Sequence, residues 1–155
     1  VNAPELAIRP MSVDDAESLA RLDYAVSKRP WTAAMFIDEL NQGAAALVLT
    51  DADERLCGFG VARPLFDEWH VMSVGVAPQL RRQGWGARLM AELIEIARSQ
   101  EGAAMLLEVR DANHAARALY EKLGFAVIGV RKGYYPDKHN PEDAIVMRLD
   151  LELSS

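Results

Sequence analysis

The sequence predicts one mixed α/β domain, with a central sheet of about seven strands and about four helices. Three observations predict it. Short apolar runs interchange with longer runs whose apolar side chains recur at helical spacing. Their order is strand, two helices, three strands, helix, strand, helix, two strands. In the middle, Arg81-Arg82-Gln83-Gly84-Trp85-Gly86 joins a strand to a helix. The chain has 155 residues, 50% of them hydrophobic, which suits a single core, so 1–155 reads as one domain.

Glu5 to Arg9 reads as a strand ended by Pro10. Ser12 is a suitable N-cap for a helix to about Val26, with Asp14, Asp15 and Glu17 near its positive end and Leu19, Leu22 and Val26 on one face. A second helix starts near Thr32, carries Met35, Phe36 and Leu40, and ends at Asn41-Gln42-Gly43. Ala45 to Thr50 and Leu56 to Arg63 read as a hairpin-like pair of strands. Trp69 to Val76 is the next strand, closed by Pro78. The third helix runs to about Arg98, with Leu89, Met90, Leu93, Ile94 and Ala97 on one face. Ala103 to Val109 is a strand; Asn113 caps a helix through Leu123, stopped by Gly124. Phe125 to Val130 and Ala144 to Leu151 are the last strands, separated by a polar loop bearing tyrosines. Short connections make the early strands antiparallel, and the helix between the middle strands makes those parallel.

The segment from Arg81 to Gly86 has the makings of an anion cradle. The first turn of a helix leaves backbone N–H groups unpaired, and the helix dipole adds positive potential. Gly84 and Gly86 remove Cβ atoms that would hold a phosphate away, and Arg81 and Arg82 add charge. It is not a Walker loop, since no Lys-Ser or Lys-Thr occurs in the chain. Nor is it a dinucleotide fingerprint, since Leu89 stands where the third glycine would be. A pyrophosphate-bearing ligand is the expectation; a short basic surface turn is the plainer one.

The formal net charge is -6, which argues against a nucleic-acid partner. The single cysteine, Cys57, excludes an internal disulfide and a multi-cysteine zinc site, and His70, His114 and His139 lack metal-ligand spacing. No metal is expected. The longest apolar run, Ala44 to Leu49, is too short to span a bilayer, and no basic-then-apolar leader opens the chain. The expectation is a cytoplasmic protein without a membrane partner.

Four pieces carry a resemblance: Val74-Gly75-Val76-Ala77-Pro78; Arg81-x-x-Gly84-x-Gly86; Leu107-Glu108-Val109-Arg110 with Asn113 and Leu119-Tyr120-Glu121-Lys122-Leu123-Gly124-Phe125; and Tyr134-Tyr135-Pro136 with Glu142-Asp143-Ala144. In this order they resemble the GCN5-related N-acetyltransferase (GNAT) superfamily. The last piece narrows the resemblance to the RimI-type N-α-acetyltransferases, which acetylate the N-terminal alanine of a small-subunit ribosomal protein (the S18 type).

The resemblance implies a GNAT fold splayed between the fourth and fifth strands, acetyl-CoA as co-substrate, and the N-terminal segment of a ribosomal protein as partner. Arg81, Arg82, Gln83, Gly84, Trp85, Gly86 and Ala87 would hold the pyrophosphate, mostly through backbone N–H groups, and Asn113 would also contact the cofactor. Trp85 replaces a smaller aliphatic residue and is expected to pack or to cover the pantetheine arm. The backbone of Val74, Gly75 and Val76 would pair with the pantetheine amides like an added strand, with the Val76 N–H facing the thioester oxygen. Gly75 and Pro78 fit disrupted pairing there; an ordinary buried strand is the alternative.

Glu108 interrupts an apolar strand on the face of Leu106 and Arg110. It reads either as a salt-bridged acid or, by resemblance, as the general base for the incoming ammonium, whose pKa is about 8. Tyr120 reads either as a core aromatic at helical spacing or, by resemblance, as the general acid for the departing thiolate. Asn113 is at least an N-cap. Trp31, Tyr134, Tyr135 and Asp143 would form the acceptor groove; exposed loop aromatics and a turn acid are the plainer reading. Cys57 lies in an apolar strand with no histidine nearby, so it reads as core rather than as an acyl-enzyme nucleophile. The resemblance implies direct transfer, amine onto thioester, in a ternary complex. Two other readings stay open: an acetyltransferase for a small amine or a lysine side chain, and a noncatalytic acyl-CoA-binding regulatory module.

Overall fold

The computed structural model describes residues 5–136 and 141–151. The elements are β1 (Ala7–Pro10), α1 (Ala16–Val26), α2 (Ala33–Asn41), β2 (Ala45–Thr50), β3 (Leu56–Leu65), β4 (Glu68–Val76), α3 (Trp85–Ser99), β5 (Ala104–Arg110), α4 (His114–Lys122), β6 (Ala126–Tyr135) and β7 (Glu142–Asp150), with 3-10 turns at Val13–Asp15 and Pro78–Leu80. The strands form one sheet in the order β1-β2-β3-β4-β5-β7-β6. Every neighbouring pair is antiparallel except β4 and β5.

Both faces of the first half of the sheet are covered. On one face α3 sets Leu89, Met90, Leu93, Ile94 and Ala97 against Leu47, Met105, Leu107 and Val109. On the other, Leu19 of α1 and Phe36 of α2 meet Ala46, Val48, Phe59 and Val61. The strand period of two sorts neighbours such as Leu47 and Val48 onto opposite cores. Along β5, Met105, Leu107 and Val109 point at α3 while Leu106, Glu108 and Arg110 stay half-buried on the open face.

The helix ends follow local chemistry. Thr32 Oγ1 accepts the Met35 N–H (3.3 Å) at the start of α2, and Asn113 Oδ1 accepts the Ala116 N–H (3.2 Å) at the start of α4. Gly43 and Gly124, with φ of +81° and +104°, turn the chain out of α2 and α4. The start of α1 differs from the expectation: a 3-10 turn follows Ser12, whose N–H donates to Asp15 Oδ2 at 2.8 Å.

Two boundaries move. β6 extends to Tyr135, so most of the expected tyrosine-bearing loop is strand. Pairing of Arg131 with Ala144 and of Tyr135 with Glu142 carries it across a polar sequence. β7 correspondingly begins at Glu142.

Candidate active site

The site is built on a failure of pairing. β4 and β5 share only three rungs, Glu68 with Ala104, Trp69 with Met105 and His70 with Leu106, and then diverge. The register of β4 against β3 slips between Val61–Ser73 and Ala62–Val71, which leaves Met72 as the extra, bulged residue. The disruption thus lies upstream of Gly75 and Pro78, where the sequence placed it. Gly75 has a different reason: a Cβ there would sit 2.8 Å from Cε1 of the fully buried Phe59.

Beyond the bulge, Ala77 N–H donates to Cys57 C=O at 2.8 Å. Alternation then turns Gly75 toward β3 and leaves the N–H and C=O groups of Val74 and Val76 facing the gap. That edge faces a cleft of about 800 Å³, lined among others by Val74, Val76, Arg81, Asp23, Trp31 and Tyr135.

The cradle opens beside it. None of the backbone N–H groups from Arg82 through Ala87 has an acceptor among the described residues, and the first helical bond is Arg88 N–H to Gly84 C=O (3.1 Å). Arg82 and Gly84 both have positive φ, +65° and +85°, which curls this row of donors. The two glycines part company here. A Cβ on Gly84 meets nothing within 4 Å, whereas one on Gly86 points inward, 3.7 Å from Leu119 Cδ1 and 4.0 Å from Val76 Cγ2. Only Gly84 keeps an open approach. Trp85 packs with Leu80 and Ala77, and the Arg88 guanidinium lies 4.8 Å above its ring. Arg81 is exposed and lines the cleft.

Glu108 and Tyr120 share a smaller adjoining pocket of about 210 Å³ with Ser73, Val74, Asn113 and Tyr135. Arg131 Nε stands 3.2 Å from Glu108 Oε1; the other carboxylate oxygen has no partner among the described residues. Tyr120 stacks edge-on against Phe125 (5.9 Å between centroids). As a residue it is half-buried, yet its phenol lies in dense surroundings, and burial, with Tyr135 close by, pushes the phenol above its ordinary value. Asn113 both caps α4 and lines the two cavities.

On the acceptor side, Tyr135 borders both cavities and lies under the Arg110 guanidinium at 4.1 Å. Burial raises its phenol, and the charge of Glu108 raises it further. Tyr134 packs on Tyr135 (5.1 Å) and is 46% exposed. Trp31 packs on Phe36 at 5.1 Å. Asp143 does not line either cavity: its carboxylate accepts the Gly133 N–H (2.8 Å) and an ion pair from Lys132 (3.2 Å), which hold it below the usual carboxylate range. Its task is to bend β6 at Gly133. Its neighbour Glu142 does line the large cleft, held by the Ala112 N–H (3.0 Å) and Arg110 (3.1 Å).

Sequence reasoning missed Asp23, Arg110, Arg131 and Glu142. Arg110 and Glu142 were inside quoted motifs, but their mutual pairing joins β5 to β7. Cys57 is buried, its thiol is pushed up by burial and donates to Leu49 C=O (3.4 Å), so it is not a thiolate nucleophile. His70 is on β4 and His114 opens α4; His139 lies outside the described residues. Among the described residues no group of three or more His, Cys, Asp or Glu is placed to hold a metal. No described helix is long and apolar enough to cross a membrane.

Residues 13–125 match the sequence profile of the acetyltransferase (GNAT) family. The chain belongs to that family. The matched span includes the splayed β4–β5 pair and the amide cradle ahead of α3. Among its relatives, the [ribosomal protein bS18]-alanine N-acetyltransferase of Salmonella typhimurium is 32% identical over 92% of this chain and 96% of its own. The N-alpha-acetyltransferase RimI of Mycobacterium tuberculosis is 37% identical over 88% of this chain and 87% of its own. Among solved structures, the ribosomal-protein-S18-alanine N-acetyltransferase from Escherichia coli superposes with a TM-score of 0.89 at 29% identity, covering 97% of each chain.

Proposed function

We propose that this GNAT enzyme is an acetyl-CoA-dependent N-α-acetyltransferase whose acceptor is a protein N-terminal alanine, that of ribosomal protein bS18. The observation that carries the reading is the run of unpaired amides from Arg82 to Ala87, which follows Arg81 of the cleft and approaches Val76 at Gly86, next to the free backbone edge of Val74 and Val76. That combination fits a pyrophosphate followed by an extended amide-bearing arm. Both relatives named above are N-terminal acetyltransferases of similar length, which favours a protein N-terminus over a small amine.

Acetyl-CoA, when bound, supplies an activated acetyl group. Val76 N–H, facing the gap, donates to the carbonyl oxygen as charge develops there. Glu108, through its unpaired oxygen, takes the proton of the acceptor ammonium, directly or through water, so that the amine nitrogen can form its bond to the carbonyl carbon as the carbon–sulfur bond breaks. Tyr120 gives its proton to the departing sulfur, and the second proton that the nitrogen sheds as the amide forms restores the phenol. A phenol raised by burial stays protonated across neutral pH, so Tyr120 holds the proton it donates. The reading places the enzyme in the cytoplasm, where ribosomal proteins are made.

A thiol-release assay with an alanine-starting peptide, an N-terminally blocked lysine peptide and a polyamine tests it. Release with the first alone is expected. Turnover confined to the polyamine or to the lysine side chain would replace the acceptor. Cofactor binding without release on any acceptor would make the protein a noncatalytic binding module.

A further inference from the structure

Among the described residues three acids are buried, Asp15, Asp23 and Glu39. Two of them are paired in full. Asp15 takes both guanidinium nitrogens of Arg9 (2.8 and 2.9 Å), and Glu39 takes Nε and Nη2 of Arg63 (2.7 and 2.6 Å). Asp23, 3% exposed, has no cation. Its Oδ2 accepts the Trp31 N–H at 2.8 Å; its Oδ1 has no hydrogen-bond or ion-pair partner among the described residues. A carboxylate withdrawn from water is costly unless a positive group meets it. Burial accordingly raises the Asp23 carboxyl, with the Trp31 N–H working the other way.

Asp23 is also the buried acid that lines the large cleft, together with Val74 and Val76. Four cations line the cleft with it: Arg110 pairs with Glu142, Arg29 donates to Pro136 C=O (3.3 Å), and neither Lys28 nor Arg81 makes an ion pair with Asp23. Its position is fixed from behind, since Trp31 is packed on Phe36 and the Asp23 carbonyl accepts the Ser27 N–H at 2.8 Å. The missing partner is a compact cation with hydrogen-bond donors that enters from the cleft. A primary ammonium has that description.

We propose that Asp23 is the counter-ion that receives the acceptor's α-ammonium in the cleft before its proton passes to Glu108. This rests on the N-α-acetyltransferase reading and adds to it the residue that selects the charged amine.

Asp23→Asn separates charge from scaffolding. The asparagine Oδ1 still accepts the Trp31 N–H, so the wall stays in place while the charge is lost. The expected result is an acceptor KM raised at least about tenfold, the size of a lost hydrogen bond to a charged group, with acetyl-CoA affinity unchanged. A second readout is binding of an alanine-starting peptide against the same peptide N-terminally acetylated. The wild-type enzyme is expected to prefer the free amine, and Asp23→Asn to lose that preference. Asp23→Ala, which also frees the Trp31 N–H, is expected to raise KM at least as far and to melt at lower temperature. If Asp23→Asn keeps both the wild-type acceptor KM and the amine preference while only Asp23→Ala raises KM, Asp23 is a scaffold for Trp31 and the proposal is wrong, with the N-α-acetyltransferase reading intact. Absence of thiol release from any N-terminal peptide with the wild-type enzyme would remove both.

Discussion

Gly84→Ala and Gly86→Ala stand two residues apart in the same cradle and are expected to act in opposite directions. Gly84 sits at φ +85°, in the left-handed region, where an L side chain costs about 1–2 kcal/mol. At about 2.1 cal/mol/K per residue, 155 residues give an unfolding entropy near 0.33 kcal/mol/K, so this substitution should lower Tm by about 3–6 °C. Gly86 is helical, and its new Cβ would rest at ordinary contact distance from Leu119 and Val76. Replacing glycine by alanine in a helix gains about 0.5–1 kcal/mol, a rise of about 1.5–3 °C. Ligand adds the second contrast. Acetyl-CoA at a hundred times Kd stabilises by about 2.7 kcal/mol, about 8 °C here. Gly84→Ala places a Cβ on the open side of the donor row and resists the conformation that curls it. A tenfold loss of affinity takes about 1.4 kcal/mol, or about 4 °C, off that ligand shift. Gly86→Ala should keep the ligand shift of the wild type. Thermal melts with and without acetyl-CoA, checked by calorimetric titration, read all four quantities. Two variants with equal melting points and equal ligand shifts would refute the assignment of the open approach to Gly84.

Glu108→Gln is expected to lower turnover at neutral pH by about a hundredfold or more, the range of positioned acid–base groups, with acetyl-CoA affinity unchanged; unchanged turnover across neutral pH would remove Glu108 from the chemistry. Tyr120→Phe should lower kcat far more than acetyl-CoA affinity. Because burial raises the Tyr120 phenol, any basic limb of kcat that belongs to it should fall above about 10, the ordinary phenol value; a limb well below that, abolished by the phenylalanine, would contradict the burial argument. Asp15 is held down chiefly by its hydrogen bonds from Arg9, so its folded value lies below its unfolded value of about 3.9. The stability it contributes is present above that unfolded value and is lost as pH falls through the depressed one. Asp15→Asn should therefore flatten the loss of Tm in acid below about pH 4, and an unchanged acid profile would count against the pairing.

What was legible in the chain was what local chemistry decides. The strand, the glycine turn and the helix around Gly84 depend on residues adjacent in sequence, and so do the caps at Thr32 and Asn113. Alternation along β5 placed Glu108 on the open face because Leu107 and Val109 needed the core. Other features were decided by distant partners. The bulge at Met72 carries no glycine or proline; it exists only relative to β3. The second half of β6 reads as a loop because Arg131, Lys132 and Gly133 are polar or small, and only β7 makes it a strand. Asp143 looked like a groove acid because acids and tyrosines adjoin it, but the Gly133 amide opposite takes its carboxylate. Asp23 carries no local signal within its helix; only the fold brings the Trp31 N–H to its carboxylate and buries it.

These departures have a common physical content. The amides of Arg82 to Ala87, the backbone edge at Val74 and Val76, the second oxygen of Glu108 and that of Asp23 are polar groups that the described chain leaves unmatched; Val74 lines both the cavity of Glu108 and that of Asp23, and the amides follow Arg81 of the latter. A fold selected for stability alone would close β4 against β5 and pair them, since each unpaired group withdrawn from water costs about 1–3 kcal/mol. The bulge at Met72 prevents that closure at the cost of a few ladder bonds. The unmatched groups are of two kinds: hydrogen donors, which suit a diphosphate and a carbonyl oxygen, and carboxylates, which suit a cation and its proton. Substituting any one of them should therefore weaken one ligand selectively, and the two carboxylates can be told apart because Asp23 should govern acceptor KM while Glu108 governs kcat.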